Sequence, residues 1–183
     1  MSGGAHVDPS NKKIALLISI LALILAISET LGNGAQTKAL AANIEASNLW
    51  NFFQAKTVRM TVLRATAEAM ETESAGKPSP QVAAQIEKWR KTAERYDNEP
   101  DTNEGRKQLM ARAKSLESSR DLAMSAYHQY EIASAAVQIA IVLASSAVIT
   151  GLSVLSFAAF GLGVVGVAFT LIGLFAPTAV HLF

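Results

Sequence analysis

Apolar positions fall along this chain in blocks rather than at regular intervals. Residues 14–27 run without a charge, and residues 132–176 form a second uncharged stretch divided only by Thr150-Gly151. An ionised group at the centre of a bilayer costs roughly 2.5–3.5 kcal/mol or more, so uncharged blocks of this length read as membrane spans. The first run is short for a core of ~30 Å, which takes about twenty helical residues, and extending it to Leu31 recovers most of the length. The predicted spans are therefore 14–31, 132–149 and 152–176, the last two forming a tight antiparallel hairpin. Tyr127 and Tyr130 stand at its entry, where amphipathic rings favour the headgroup zone, and Pro177 ends it. Asn11-Lys12-Lys13 before a short apolar run also spells a secretory leader. The residues after it lack a small-x-small cleavage pattern, since Asn33 would stand three before a cut at Ala35. The segment reads as an uncleaved anchor.

The block between, 32–131, carries the charge. Residues 35–75 hold neither proline nor glycine and are good helix formers, which predicts one helix of ~60 Å, with Trp50, Phe53, Thr57, Met60 and Ala67 on one face. Gly76-Lys77-Pro78-Ser79-Pro80 breaks it; Ser79 and Pro80 then suit the N-cap and first turn of a second helix ending near 98–100, and Asp101 or Thr102 suits the cap of a third. That third helix shows Leu109, Ala113, Leu116, Arg120, Ala123, Tyr127 and Tyr130 at steps of three and four, continuing through Ser134, Val137, Ile141 and Ala144. The water-side helix and the second span thus form one rod. The predicted fold is an all-α membrane protein with three transmembrane helices, one N-terminal and two in a C-terminal hairpin. An extramembrane antiparallel helical stalk at 32–131 breaks near 76–80 and 98–102, and short tails occupy 1–13 and 177–183. The stalk stripe suits either an intramolecular core or an oligomeric coiled-coil seam; Arg120 within it favours a mixed core.

Each span also carries a line of small residues. The first has Ala15, Ser19, Ala22 and Ala26; the second Ala133, Ala136, Ala140, Ala144, Ala147 and Gly151; the third Ser156, Ala159, Gly163, Gly166, Thr170 and Gly173. Inside lipid, close backbone approach along small faces decides where helices meet, so these lines are expected to pack on one another or on further copies.

Charge and composition narrow the function classes. Fourteen of the sixteen Lys and Arg lie from Lys38 to Arg120, interleaved with thirteen Asp and Glu from Glu45 to Glu131, which describes a solvated helix surface and not a nucleic-acid groove. There is no cysteine, hence no disulfide and no thiolate chemistry; His6, His128 and His181 are isolated, so no metal site is expected. No nucleophile and base pair stands out. Gly161-x-Gly163-x-x-Gly166 spells a dinucleotide pattern, but inside an apolar span without a preceding strand it reads as packing. No cofactor is expected.

The segment 41–59, AANIEASNLWNFFQAKTVR, together with Asn11-Lys12-Lys13 and the first span, resembles a bacterial family of short inner-membrane proteins catalogued as domain of unknown function four-three-three-seven. The resemblance is densest over residues 12–68 and implies a bacterial inner membrane and an all-helical build, without site residues or chemistry.

The candidate functional residues are few. Glu29 falls on the small-residue line of the first span, where an acid could ring a pore mouth, bind a cation or take up a proton; wetting at the membrane edge, or pairing with Lys38 or a base on the returning helix, is the plain alternative. Gln138 is the other polar group within a span, expected to bond a neighbouring helix. Trp50, Phe52 and Phe53 occupy more than one side of the long helix, which marks either a partner contact or a widely spread core. Lys56, Arg59 and Arg64, followed by Glu68 and Glu71, read as ion-paired surface. Lys12 and Lys13 argue for a cytoplasmic N-terminus with the stalk and Phe183 in the periplasm, although Lys38, Arg112, Lys114 and Arg120 count the other way. The expected role is a non-enzymatic scaffold or docking protein whose partners are membrane lipid, further copies of the chain and another membrane protein; the alternative is an oligomeric channel or ion-coupled transport component with Glu29 near the pore mouth.

Overall fold

The computed structural model describes residues 9–180, with side chains from residue 12 onward. His6, His181 and Phe183, and with them parts of both expected tails, lie outside the described residues. Within them the chain forms four α-helices and no strand: α1 (Pro9–Glu73), α2 (Pro80–Asp97), α3 (Arg106–Thr150) and α4 (Ser153–Phe175). Three of these, α1, α3 and α4, are long and apolar enough to cross a membrane, which makes this a membrane protein. The fold divides into a membrane unit, Met1–Leu40 with Asp121–Phe183, and a water-side unit, Ala41–Arg120.

Helix α1 passes through Gly32 and Gly34 without a break, where the sequence reading placed a boundary between span and stalk. Glycine inside a helix costs roughly 1 kcal/mol relative to alanine, a penalty that packing readily outweighs. Gly32 is buried, and a Cβ there would stand 3.4 Å from Tyr130 Cβ.

The membrane unit packs by inserting large side chains into glycine seats. Its core is Leu21, Val137, Ala140, Ala144 and Ala159. The small lines of α3 and α4 face inward: Ala133, Ala136, Ala140, Ala144 and Ala147 are buried on α3, and Ala159, Gly163, Gly166 and Gly173 on α4. Leu21 fills the seat at Gly163, where a Cβ would come within 2.6 Å of its Cδ2, and the Tyr130 ring fills that at Gly173, where a Cβ would lie 2.7 Å from Cε1. Val137 occupies the seat at Gly166. Because lipid offers no hydrophobic drive for helices to associate, this close approach and its dispersion contacts hold the bundle.

Of the two uses expected for the small lines, packing within the chain is not the one made of Ala15, Ser19, Ala22 and Ala26 on α1: this line is exposed, and α1 turns Ile14, Leu17, Ile18, Leu21, Ile24 and Leu25 toward the core instead. Only one of two facing helices needs to be small, and α4 supplies that role. Tyr130, at the entry of the hairpin, turns its ring into the bundle and is buried, because Gly173 leaves room for it. The hairpin turns at Gly151 with φ +70°, a conformation that glycine adopts without steric cost. Beyond α4, the Gln129 amide donates to the carbonyls of Pro177 (3.3 Å) and Val180 (2.8 Å).

In the water-side unit α1 and α3 run antiparallel around Leu49, Leu109 and Ala113, flanked by Trp50, Phe52, Phe53 and Leu116. Ser79 caps α2 by accepting from Val82 N (3.4 Å), and Arg90 on α2 bonds Glu71 on α1 at 2.6 Å. Helix α3 starts at Arg106, so neither Asp101 nor Thr102 stands at its N-cap. The Gln108 side chain organises that connection instead: its amide donates to Asn98 Oδ1 (2.6 Å) and accepts from Glu99 N (3.3 Å) over a closely packed Gly105.

Candidate functional site

The two polar residues singled out within the spans meet each other. Gln138 Nε2 on α3 donates to Glu29 Oε1 on α1 at 3.3 Å, and the pair lies in an open groove of about 350 Å³. Asn33, Tyr127, Glu131 and Ser134 also line this groove, and no Lys or Arg does. Glu29 therefore takes an amide partner on the returning helix; neither Lys38 nor another base pairs with it among the described residues. Glu131 has His128 Nδ1 at 3.6 Å. Next to Glu29 on α1, the hydroxyls of Ser28 and Thr170 stand 2.8 Å apart, so that one donates to the other and joins α1 to α4. Ser28 is fully buried. Serine and threonine pass unnoticed in an apolar run because each can donate to its own helix carbonyl, so the sequence gives no sign that these two meet across helices.

The densest polar arrangement lies in the water-side unit and was not anticipated. Lys56 is buried; its Nζ is 3.1 Å from Glu99 Oε2 and 3.9 Å from Glu104 Oε2, and sits 5.1 Å and 5.6 Å from the ring centres of Phe52 and Tyr96. Beside it, Arg106 bonds Asp97 (2.9 Å) and Thr57 (2.8 Å) and lies 4.8 Å over the Phe53 ring. Trp50 Nε1 donates to Glu117 at 2.9 Å. Phe52, Phe53 and Trp50, expected as a partner contact or a spread core, are half-buried and engaged by these cations and by the core. They brace this unit internally. Lys56 and Glu71, read as neighbours on an ion-paired α1 surface, instead bind the α2–α3 connection and α2, while Arg59 and Arg64 remain exposed. A signal for Lys56 did exist, since it shares helical spacing with Leu49, Phe53 and Met60 on the buried face.

The hydrogen bond from Lys56 holds the Glu99 carboxyl below its ordinary range near 4.5, with partial burial opposing it and the charges of Lys56 and Arg95 assisting. A carboxylate whose pKa is depressed on folding stabilises the fold above its unfolded pKa, and that contribution disappears as pH falls through the folded value. Tryptophan fluorescence of the detergent-solubilised protein should accordingly give a denaturation midpoint that is level from neutrality down to the ordinary carboxylate range and falls below it. Lys56→Met should flatten the acid limb; an unchanged limb in that variant would remove the clamp from the explanation.

Neither site contains a nucleophile paired with a base, and among the described residues no three His, Cys, Asp or Glu side chains cluster as metal ligands. Both sites join helices through hydrogen bonds, and the water-side one through charge pairs as well. A family model described as Domain of unknown function (DUF4337) matches residues 10–176. The chain belongs to that family. The DUF4337 match runs through both apolar ends and the charged middle, including the stretch 76–105. Comparison with curated proteins and with solved structures finds no match to this DUF4337 chain.

Proposed function

We propose that this DUF4337 protein is a non-enzymatic, self-associating scaffold or docking protein of a bacterial inner membrane, with its N-terminus cytoplasmic and its water-side helices periplasmic. The observation that carries the reading is the pairing of Glu29 with Gln138: an acid and an amide within the spans are used to join helices. The filled glycine seats and the Ser28–Thr170 contact support the same role, since they describe a bundle that fixes position. Amine-reactive crosslinking in native membranes should capture multimers or a defined partner; capture of monomers alone would refute it.

One observation favours the ion-coupled alternative, namely that Glu29 remains exposed within a groove lined by a second carboxylate. Reconstituted liposomes decide between them. Ion flux abolished by Glu29→Gln would support transport, and absence of flux in the native protein would eliminate it.

A further inference from the structure

On the water-side part of α1, a single line of positions faces away from the core: Ile44, Ser47, Asn51, Ala55, Val58 and Val62, continuing in step to Ala69. All are exposed. Every large hydrophobic residue of α1 exposed in this unit lies on that line, with Ile44 at 53 %, Val58 at 63 % and Val62 at 57 % exposure. No residue of the line is charged, whereas Glu45, Arg59, Arg64 and Glu68 stand beside it. Scattered surface aliphatics need no explanation, but an uncharged row carrying every large aliphatic that this stretch of α1 exposes marks a contact surface.

We propose that a second copy of this chain covers the line, with the two α1 helices side by side and parallel. Copies inserted the same way in one membrane meet about a two-fold axis along the membrane normal, so each residue of the contact faces its own counterpart. A charge placed there would oppose itself. Neutrality is therefore what self-pairing requires of this line, while an unrelated partner would impose no such condition. Asn51 at mid-line then faces Asn51 of the second copy, and paired amides in an otherwise apolar seam fix its register.

The seam from Ile44 to Ala69 is ~39 Å long, and a helix strip about 10 Å wide buries roughly 400 Å² per copy, half of what a stable interface between soluble proteins takes. Confinement of both copies to one membrane in one orientation raises their effective concentration and supplies the rest. The dimer thus depends on the membrane and dissociates on dilution in detergent.

This inference rests on the self-association in the proposed function, and cysteine crosslinking separates the two. The chain has no cysteine, so single substitutions report cleanly. A disulfide needs Cβ atoms about 3.8 Å apart, so in oxidised native membranes Val58→Cys should form dimers roughly tenfold faster than Ser118→Cys, an exposed position on α3. Val58→Glu with Val62→Glu should abolish amine-crosslinked dimers while helicity is kept. Equal rates at the two cysteines, adducts other than the doubled mass, or dimers that survive the paired glutamates would overturn the seam. If Ala22→Cys crosslinks and Val58→Cys does not, self-association stands and this face is wrong; if neither does and amine crosslinking yields monomers, both readings fail.

Discussion

Gly166→Leu is expected to destabilise the membrane unit by about 3 kcal/mol, while Gly161→Leu, five positions earlier on the same helix, leaves stability nearly unchanged. The space at Gly166 is already held by Val137, and a Cβ would also lie 3.2 Å from the Ala133 carbonyl oxygen. Leucine brings three further carbons. The backbone oxygen cannot move without shifting α3, so α4 must separate and forfeit the contacts at Gly163 and Gly173 as well. A Cβ added at Gly161 would meet nothing within 4 Å beyond its own stretch of helix, and the added side chain points out of the bundle toward lipid. Helicity followed by circular dichroism during SDS titration in mixed micelles compares the two. Equal loss in both variants would mean that the glycine seats do not hold the spans together.

The second large effect belongs to the water-side unit, where Leu109→Ala should cost about 2–5 kcal/mol. Leu109 is fully buried against Leu49 and Ala113, between helices whose separation the flanking cations and aromatics fix, so the cavity closes poorly. Its neighbour Met110 is 36 % exposed and points elsewhere. Met110→Ala should stay within roughly 0.5 kcal/mol of the native protein. Trp50 packs against this same core and its fluorescence reports the transition. Comparable midpoints for the two variants would place the core elsewhere.

The helical class and the three apolar segments could be read directly, because exclusion of charge from lipid leaves long uncharged runs that need no partner to be recognised. The start of α2 was legible for a local reason, since Ser79-Pro80 combines an acceptor hydroxyl with a residue that lacks an amide proton. Interhelical registry was harder to see. The small residues of α4 drew attention correctly, yet which face of α1 meets them depended on Leu21 filling Gly163, a contact invisible along one helix. The same holds for Lys56 and Glu99, forty-three residues apart. Local charge spacing pointed Lys56 toward its own helix surface, and the tertiary arrangement overrode it because burial on the Leu49–Met60 face demanded a carboxylate and aromatic rings. In the candidate groove, Glu29 and Gln138 could each be singled out as polar groups in apolar surroundings; that they answer one another emerged only from the antiparallel pairing of α1 with α3.

The most direct test of the account is whether lipid covers the outside of the bundle. Ile139 on α3 and Phe160 on α4 are 53 % and 61 % exposed on the chain itself, so nothing in the protein shields them. In permeabilised native membranes a water-soluble maleimide should leave Ile139→Cys and Phe160→Cys unmodified until SDS is added, while Lys88→Cys on α2 reacts at once. Labelling of the first two at the rate of the third, with the membranes intact, would contradict a membrane-spanning bundle.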